Sequence, residues 1–171
     1  MMHGKTVLVV GGAGYIGSHM VRALVDAGCK PLVLDNLSTG HRDLLHPSAE
    51  FFEGQCGDRG RVFQILRDRQ VEAVMHFAAS SLVGESVKDP LKYYRNNVSQ
   101  TVDLLSAMAD AGVRYFILSS TAAVYGEPEF VPITEGHPAR PTNPYGSTKA
   151  ALERCLAEVE AAGGIRFMAL R

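Results

Sequence analysis

Val7-Leu-Val-Val-Gly-Gly-Ala-Gly-Tyr-Ile-Gly-Ser-His19 runs from a β-branched apolar stretch straight into Gly11, Gly14 and Gly17, three glycines spaced three apart. It reads as a strand that turns tightly into a helix. Without a Cβ at these positions the chain can turn sharply, admit a pyrophosphate to the backbone, and seat the helix start on the sheet. The free N–H groups of the first helical turn then face the phosphates. The same spacing suits any tight strand-to-helix turn, so it needs support from elsewhere in the chain.

That support begins at Asp35. A second apolar run, Pro31 to Leu34, ends in this carboxylate, which can accept hydrogen bonds from both hydroxyls of an adenosine ribose. It would repel a 2′-phosphate, so the reading favours NAD over NADP. Asp35 also suits the start of the turn Asp-Asn-Leu-Ser-Thr-Gly (35 to 40).

A length of 171 residues predicts one domain, with enough core to need neither disulfides nor metal. The formal charge of −1 argues against a nucleic-acid surface. The densest basic stretch, Arg59 to Arg69, is interleaved with acid and reads as a solvated helix face. Cys29, Cys56 and Cys155 lie far apart, and the six histidines show no ligand spacing, so no metal site is expected. The N-terminus resembles neither a signal peptide nor a membrane span, and the expected setting is a reducing cytoplasm.

Strand-length apolar runs recur at 5–10, 31–35, 50–53, 72–77, 114–119 and 165–170. Helical patterns lie between most of them. One stripe is Ile16, Met20, Ala23, Leu24 and Ala27, and another is Leu91, Tyr94, Val98, Val102, Leu105 and Met108. Alternation of this kind predicts an α/β fold, a doubly wound parallel sheet (Rossmann fold) in the order 3-2-1-4-5-6. Gly126 to Pro144 breaks the rhythm with five prolines and predicts a long functional loop. The loop delivers the chain to a helix capped by Asn143, with Pro144 in its first position.

On that helix Tyr145 and Lys149 stand four residues apart and share a face. An ammonium near a phenol favours the phenolate, which can take a proton from an alcohol while bound NAD takes the hydride. The pairing alone is common on ordinary helices. Ser119-Ser120-Thr121 follows the fifth strand, at the sheet edge where such folds place their ligands. A hydroxyl there can hold a substrate oxygen against Tyr145 or simply satisfy backbone groups at the strand end.

Together with Phe77-Ala78-Ala79 after strand four, these elements resemble the extended short-chain dehydrogenase/reductase family. Within it, Gly11 to His19, Asp35 to His41, Val83-Gly-Glu-Ser-Val87, Tyr93 to Val98 and Asn143-Pro-Tyr-Gly-Ser-Thr-Lys149 are similar to the UDP-glucose 4-epimerases. The resemblance implies that Gly11, Gly14, Tyr15, Ile16 and Gly17 hold the pyrophosphate. It implies that Asp35 and Asn36 hold the ribose, with Leu37, Ser38, Thr39, Gly40, Gln55 and Cys56 around the adenosine. Phe77, Ala78, Ala79, Ser80, Ser81 and Asn96 would line the rest of the cofactor site. Thr121, Tyr145 and Lys149 would be catalytic, with Lys149 also on the nicotinamide ribose. The implied reaction is transient oxidation of a UDP-sugar at C4, as in galactose metabolism, by a homodimer built on helices over 91–111 and 145–162.

Ala122-Ala123 stands where the family's dehydratases carry Asp-Glu, which disfavours loss of water. Gln55 replaces a family Asp that meets the adenine amino group, and Ser81 stands where some epimerases have Lys. Arg166 to Arg171 resembles the sixth strand of the family, whose substrate-gripping lobe would follow. The expectation is therefore an NAD-binding Rossmann domain over 1–171, an N-terminal portion without its C-terminal lobe. The alternatives are a C4 epimerase of another UDP-sugar (uronate, pentose or N-acetylhexosamine) and a non-enzymatic NAD-binding module.

Overall fold

The six apolar runs become six strands: β1 (Thr6–Val10), β2 (Lys30–Asp35), β3 (Glu50–Glu53), β4 (Ala73–His76), β5 (Tyr115–Ser119) and β6 (Arg166–Leu170). The structure, a computed structural model, describes residues 3–171. All neighbouring strands pair in parallel, in the predicted order β3-β2-β1-β4-β5-β6. Parallel pairing requires a crossover between strands, and the helices supply it: α1 (Tyr15–Asp26), α2 (Arg59–Asp68), α3 (Val83–Lys88), α4 (Pro90–Tyr93), α5 (Gln100–Ala111) and α6 (Pro144–Ala161).

Alternation along the strands divides the core. Leu8, Val10, Leu32, Leu34 and Val74 point to the face covered by α2, α5 and α6, where they meet Leu66, Leu104, Met108, Leu152 and Leu156. Val7, Val9, Val33 and Met75 point to the other face and meet Val21 and Leu24 of α1. Each such side chain, fully buried, contributes about 1.5–3 kcal/mol. On α6, Leu152 and Leu156 belong to this core, with Cys155 and Val159 partly buried beside them.

Two helical stripes differ from the sequence reading. On α1 the buried positions are Gly17, Val21 and Leu24, while Ile16 is 59% exposed and Ala23 and Ala27 are also exposed. Helix α1 rolls toward Gly17 because only a glycine fits against the turn there. The expected single helix over 91–111 is instead α4, a wide-pitched π segment over 94–99, and α5. Its buried face runs through Tyr93, Asn97, Thr101, Leu104, Leu105 and Met108, leaving Leu91, Tyr94 and Val102 exposed. The π turn rotates the face so that polar Asn97 and Thr101, with buried partners waiting, displace the apolar stripe. The loop over 126–143 contains no helix or strand, and Asn143 caps α6 by accepting from the Gly146 amide at 2.9 Å.

Candidate active site

A cleft of about 610 Å³ opens along the carboxyl ends of β1, β2, β3 and β4. At its floor Gly11 adopts a φ of +81°, and a Cβ there would lie 2.5 Å from the Ala78 amide nitrogen. A Cβ on Gly17 would lie 2.1 Å from the Gly11 carbonyl oxygen, so the first turn of α1 sits directly on the glycine turn. Gly14, by contrast, has only that oxygen near its Cβ position, at 3.3 Å, and borders the open cleft. No side chain caps the first turn of α1 and no acid stands in it, the arrangement of an anion site. Tyr15 and Ile16 of this turn are exposed and do not line the cleft.

Asp35 lines the cleft at the end of β2. It is 8% exposed, and its carboxylate accepts from the Ala13 amide at 3.0 Å and the Leu37 amide at 2.8 Å. The side chain starts the turn, as one sequence reading has it, and also borders the cleft with lone pairs to spare. Leu37 takes a left-handed φ of 56° to make that turn and does not line the cleft. Asn36, Ser38, Thr39, Gly40, Gln55 and Cys56 do. Burial pushes the Cys56 thiol up to about 11, so it stays protonated, and it donates to Gln100.

The far wall is built by Phe77, Ala78, Ala79, Ser80, Ser81 and Asn96. Sequence reasoning missed its other members, among them Leu82, Glu85, Lys92 and Gln100. Gln100 lies one turn after Asn96 and bonds to it at 3.3 Å, so helical spacing could have found it. Glu85 pairs with Lys92 and accepts from the Tyr93 hydroxyl at 2.8 Å, and these bonds hold its carboxyl below the usual range. Burial and that carboxylate push the Tyr93 phenol up to about 12.

Thr121, Tyr145 and Lys149 lie beside the cleft rather than in its lining. A fully buried residue joins the two regions. Asn97 accepts from the Ser80 amide at 2.8 Å and donates to the Ser80 carbonyl at 3.0 Å and to Thr148 Oγ1 at 3.1 Å. Thr148 stands between Tyr145 and Lys149, so the cleft wall and α6 share one rigid tie. An amide at mid-helix was the available signal, because helix propensity alone argues against Asn there.

Lys149 is 2% exposed, and its ammonium donates to the Ser119 carbonyl at 2.8 Å. Burial lowers its pKa to about 8, opposed by the charge of Glu153. His76 lies beneath, pushed down to about 3 by burial and the Lys149 charge. Its neutral ring meets Thr101 Oγ1 at 2.9 Å, and Thr101 donates to the Asn97 carbonyl at 2.6 Å. Thr121 Oγ1 accepts from the Ala123 amide at 3.1 Å, starting a short 3₁₀ turn over Ala122–Tyr125. The turn rests on α6 where Gly146 leaves room, since a Cβ there would lie 2.6 Å from the Ala123 carbonyl oxygen. Ser120 Oγ donates to Glu153, which engages one hydroxyl of the Ser119-Ser120-Thr121 cluster.

Residues 7–171 match the model of the NAD dependent epimerase/dehydratase family. The chain belongs to that family. Its curated family relatives include the UDP-glucose 4-epimerase of Lactobacillus helveticus, 56% identical over 165 residues, which is 96% of this chain and 50% of that protein. Among solved family structures, the UDP-glucose 4-epimerase of Brucella ovis in complex with NAD superposes with a TM-score of 0.95 at 48% identity, covering 98% of this chain and 51% of that one. A UDP-glucose 4-epimerase of Stenotrophomonas maltophila with bound NAD and formylated UDP-arabinopyranose gives 0.94 at 36% identity, covering 98% and 52%. The chain spans about half the length of the relatives it matches.

Proposed function

We propose that these residues form the NAD-binding and proton-transfer half of a UDP-sugar 4-epimerase that interconverts UDP-glucose and UDP-galactose. The observation that carries this reading is the tie through Asn97, which fixes the cleft at the glycine turn to the helix bearing Tyr145 and Lys149. The cleft fits the cofactor: glycines press the turn close, α1 offers an uncapped N-terminus, and Asp35 presents a carboxylate oriented by two amides. Bound NAD supplies a reversible two-electron acceptor at the sugar carbon. Thr121 orients the 4-hydroxyl, and Tyr145 takes its proton and later returns one to the same oxygen, after the 4-keto sugar has turned its other face to the cofactor. Lys149, one helical turn after Tyr145 on α6, keeps its positive charge at neutral pH. Ala122 and Ala123 provide no acid or base beside Thr121, which favours epimerisation over dehydration.

A UDP-N-acetylglucosamine 4-epimerase and a UDP-glucose 4-epimerase with bound formylated UDP-arabinopyranose share this fold, so the sugar identity rests on the similarity to UDP-glucose enzymes. The exposed apolar residues Leu91, Tyr94 and Val102 support the proposed homodimer. The nucleotide cofactor supports the proposed cytoplasmic setting; among the described residues no helix is long and apolar enough to cross a membrane.

Two experiments test the proposal. In the first, NAD raises the melting temperature of the chain, NADP does not, and Asp35→Ala removes the effect. In the second, residues 1–171 replace the matching half of the Lactobacillus helveticus enzyme, and conversion of UDP-galactose to UDP-glucose is followed. Turnover abolished by Tyr145→Phe supports the reading; a folded, NAD-binding hybrid without turnover overturns it.

A further inference from the structure

Tyr145, Lys149 and Glu153 follow one another at four-residue spacing along α6. The Glu153 side chain is only 11% exposed, and its oxygens are claimed by two other parts of the chain. Ser120 Oγ donates to Oε1. Arg171, just past β6, donates from Nε to both oxygens at 3.1 Å and from Nη2 to Oε2 at 2.5 Å. The same guanidinium donates to the Tyr125 hydroxyl at 2.8 Å and lies 5.0 Å from that ring's centroid.

These contacts enclose the catalytic turn. The backbone leaving β5 is pinned to α6 at successive residues, first by Lys149 on the Ser119 carbonyl and then by Ser120 on Glu153. Thr121 comes next, and the 3₁₀ turn that it starts ends at Tyr125, which Arg171 holds. An exposed ion pair contributes about 0–1 kcal/mol, but an enclosed bidentate one adds geometric definition. The alternative, a pair that merely fastens the end of β6, gives no reason for Ser120 to join it.

We propose that Glu153 and Arg171 are positioning residues: with Ser120 they hold Thr121 in place, and their opposite charges set how tightly Lys149 keeps its proton. The inference rests on the catalytic roles proposed above for Thr121 and Lys149. The titratable groups that act on Lys149 are Glu153 on α6, His76 on β4 and, through Glu153, Arg171; Tyr145, one turn earlier on α6, acts on Tyr93 of α4. At neutral pH His76 and Tyr93 are uncharged. Glu153 and Arg171 are therefore the charges that can tune the lysine.

The test is an NMR titration of the 171-residue chain labelled with ¹³C at the lysine ε-carbons. The Lys149 signal is assigned by its loss in Lys149→Met, which separates it from Lys5, Lys30, Lys88 and Lys92. Glu153→Gln should weaken proton binding at Lys149 by roughly threefold or more, and Arg171→Gln should strengthen it by a similar factor. Ser120→Ala, which alters no charge, should leave it unchanged, and Glu153→Asp should restore it. Opposite shifts in the two charge variants support the proposal, because loosening a merely structural pair would move both in one direction. Shifts of the same sign, or none, overturn it. Should Glu153→Gln fail to fold, Arg171→Gln decides alone: a rise supports the proposal and no rise overturns it. No turnover is measured, so a failed catalytic reading shows itself separately, in the hybrid enzyme with Tyr145→Phe.

Discussion

Replacing Lys149 by methionine is expected to stabilise the chain at neutral pH. Lys149 is 2% exposed, and burial lowers its pKa from 10.5 to about 8. That difference corresponds to about 3 kcal/mol by which the folded state disfavours the charged lysine. Methionine keeps the length of the stem but leaves the Ser119 carbonyl without its donor, which costs about 1 kcal/mol. The net expectation is a gain of about 2 kcal/mol at pH 7. The sign with pH follows from proton linkage. Between pH 8 and 10.5 the unfolded chain holds this proton and the folded chain has shed it, so the parent gains stability as pH rises. The advantage of the methionine variant should therefore shrink above pH 8 and disappear by about pH 10. Urea unfolding followed by far-UV circular dichroism at pH 7, 8, 9 and 10 measures it. Cys56 and Tyr93 also titrate with shifted affinities, but they do so in both chains and cancel in the difference. A gap that stays constant with pH, or a less stable methionine variant at pH 7, refutes the reasoning.

Gly17→Ala should unfold or severely destabilise the chain, by about 3 kcal/mol or more, because the new Cβ collides with backbone at 2.1 Å. Gly14→Ala should melt within a few degrees of the parent yet lose stabilisation by NAD, since Gly14 lines the cleft and its new Cβ meets only the Gly11 carbonyl oxygen, at 3.3 Å; differential scanning fluorimetry with and without NAD distinguishes the two. Asn97→Ala leaves the Ser80 amide and carbonyl and Thr148 without their partner, and should cost about 2–3 kcal/mol in urea unfolding. Val102→Arg should shift sedimentation toward monomer if the exposed apolar face of α5 pairs two copies, while a parent chain that sediments only as monomer removes that part of the proposal.

The sheet was legible because its signals are local. Each strand is a short apolar run, and the glycine turn after β1 fixes where the order reverses. Asp35, Asn143 and Pro144 were legible for the same reason, since a cap or a strand-end carboxylate acts on atoms two or three residues away. The π segment was not. Apolar spacing pointed to Leu91, Tyr94 and Val102, whereas burial went to Tyr93, Asn97 and Thr101, whose partners Leu82, Ser80 and His76 precede them by 11 to 25 positions. Periodicity sees hydrophobicity along one helix and is blind to a polar group whose partner comes from another element. The pairing of Glu153 with Ser120 and Arg171 was hidden likewise, because three separate elements supply it.

The parallel sheet also imposes an order of assembly. Strands β1, β2 and β3 with α1 come from the first third of the chain and contain the glycine turn, Asp35 and one side of the cleft. The opposite wall waits for β4 to insert beside β1 and for Asn97 to be latched by Thr148 of α6, late in the sequence. During synthesis an early half-cleft therefore exists with β1 as an unpaired edge, a surface prone to wrong pairing. Whatever spans both walls can bind only after α6 has docked, so a dinucleotide would act as a late clamp, selecting chains whose sheet has closed in the right order.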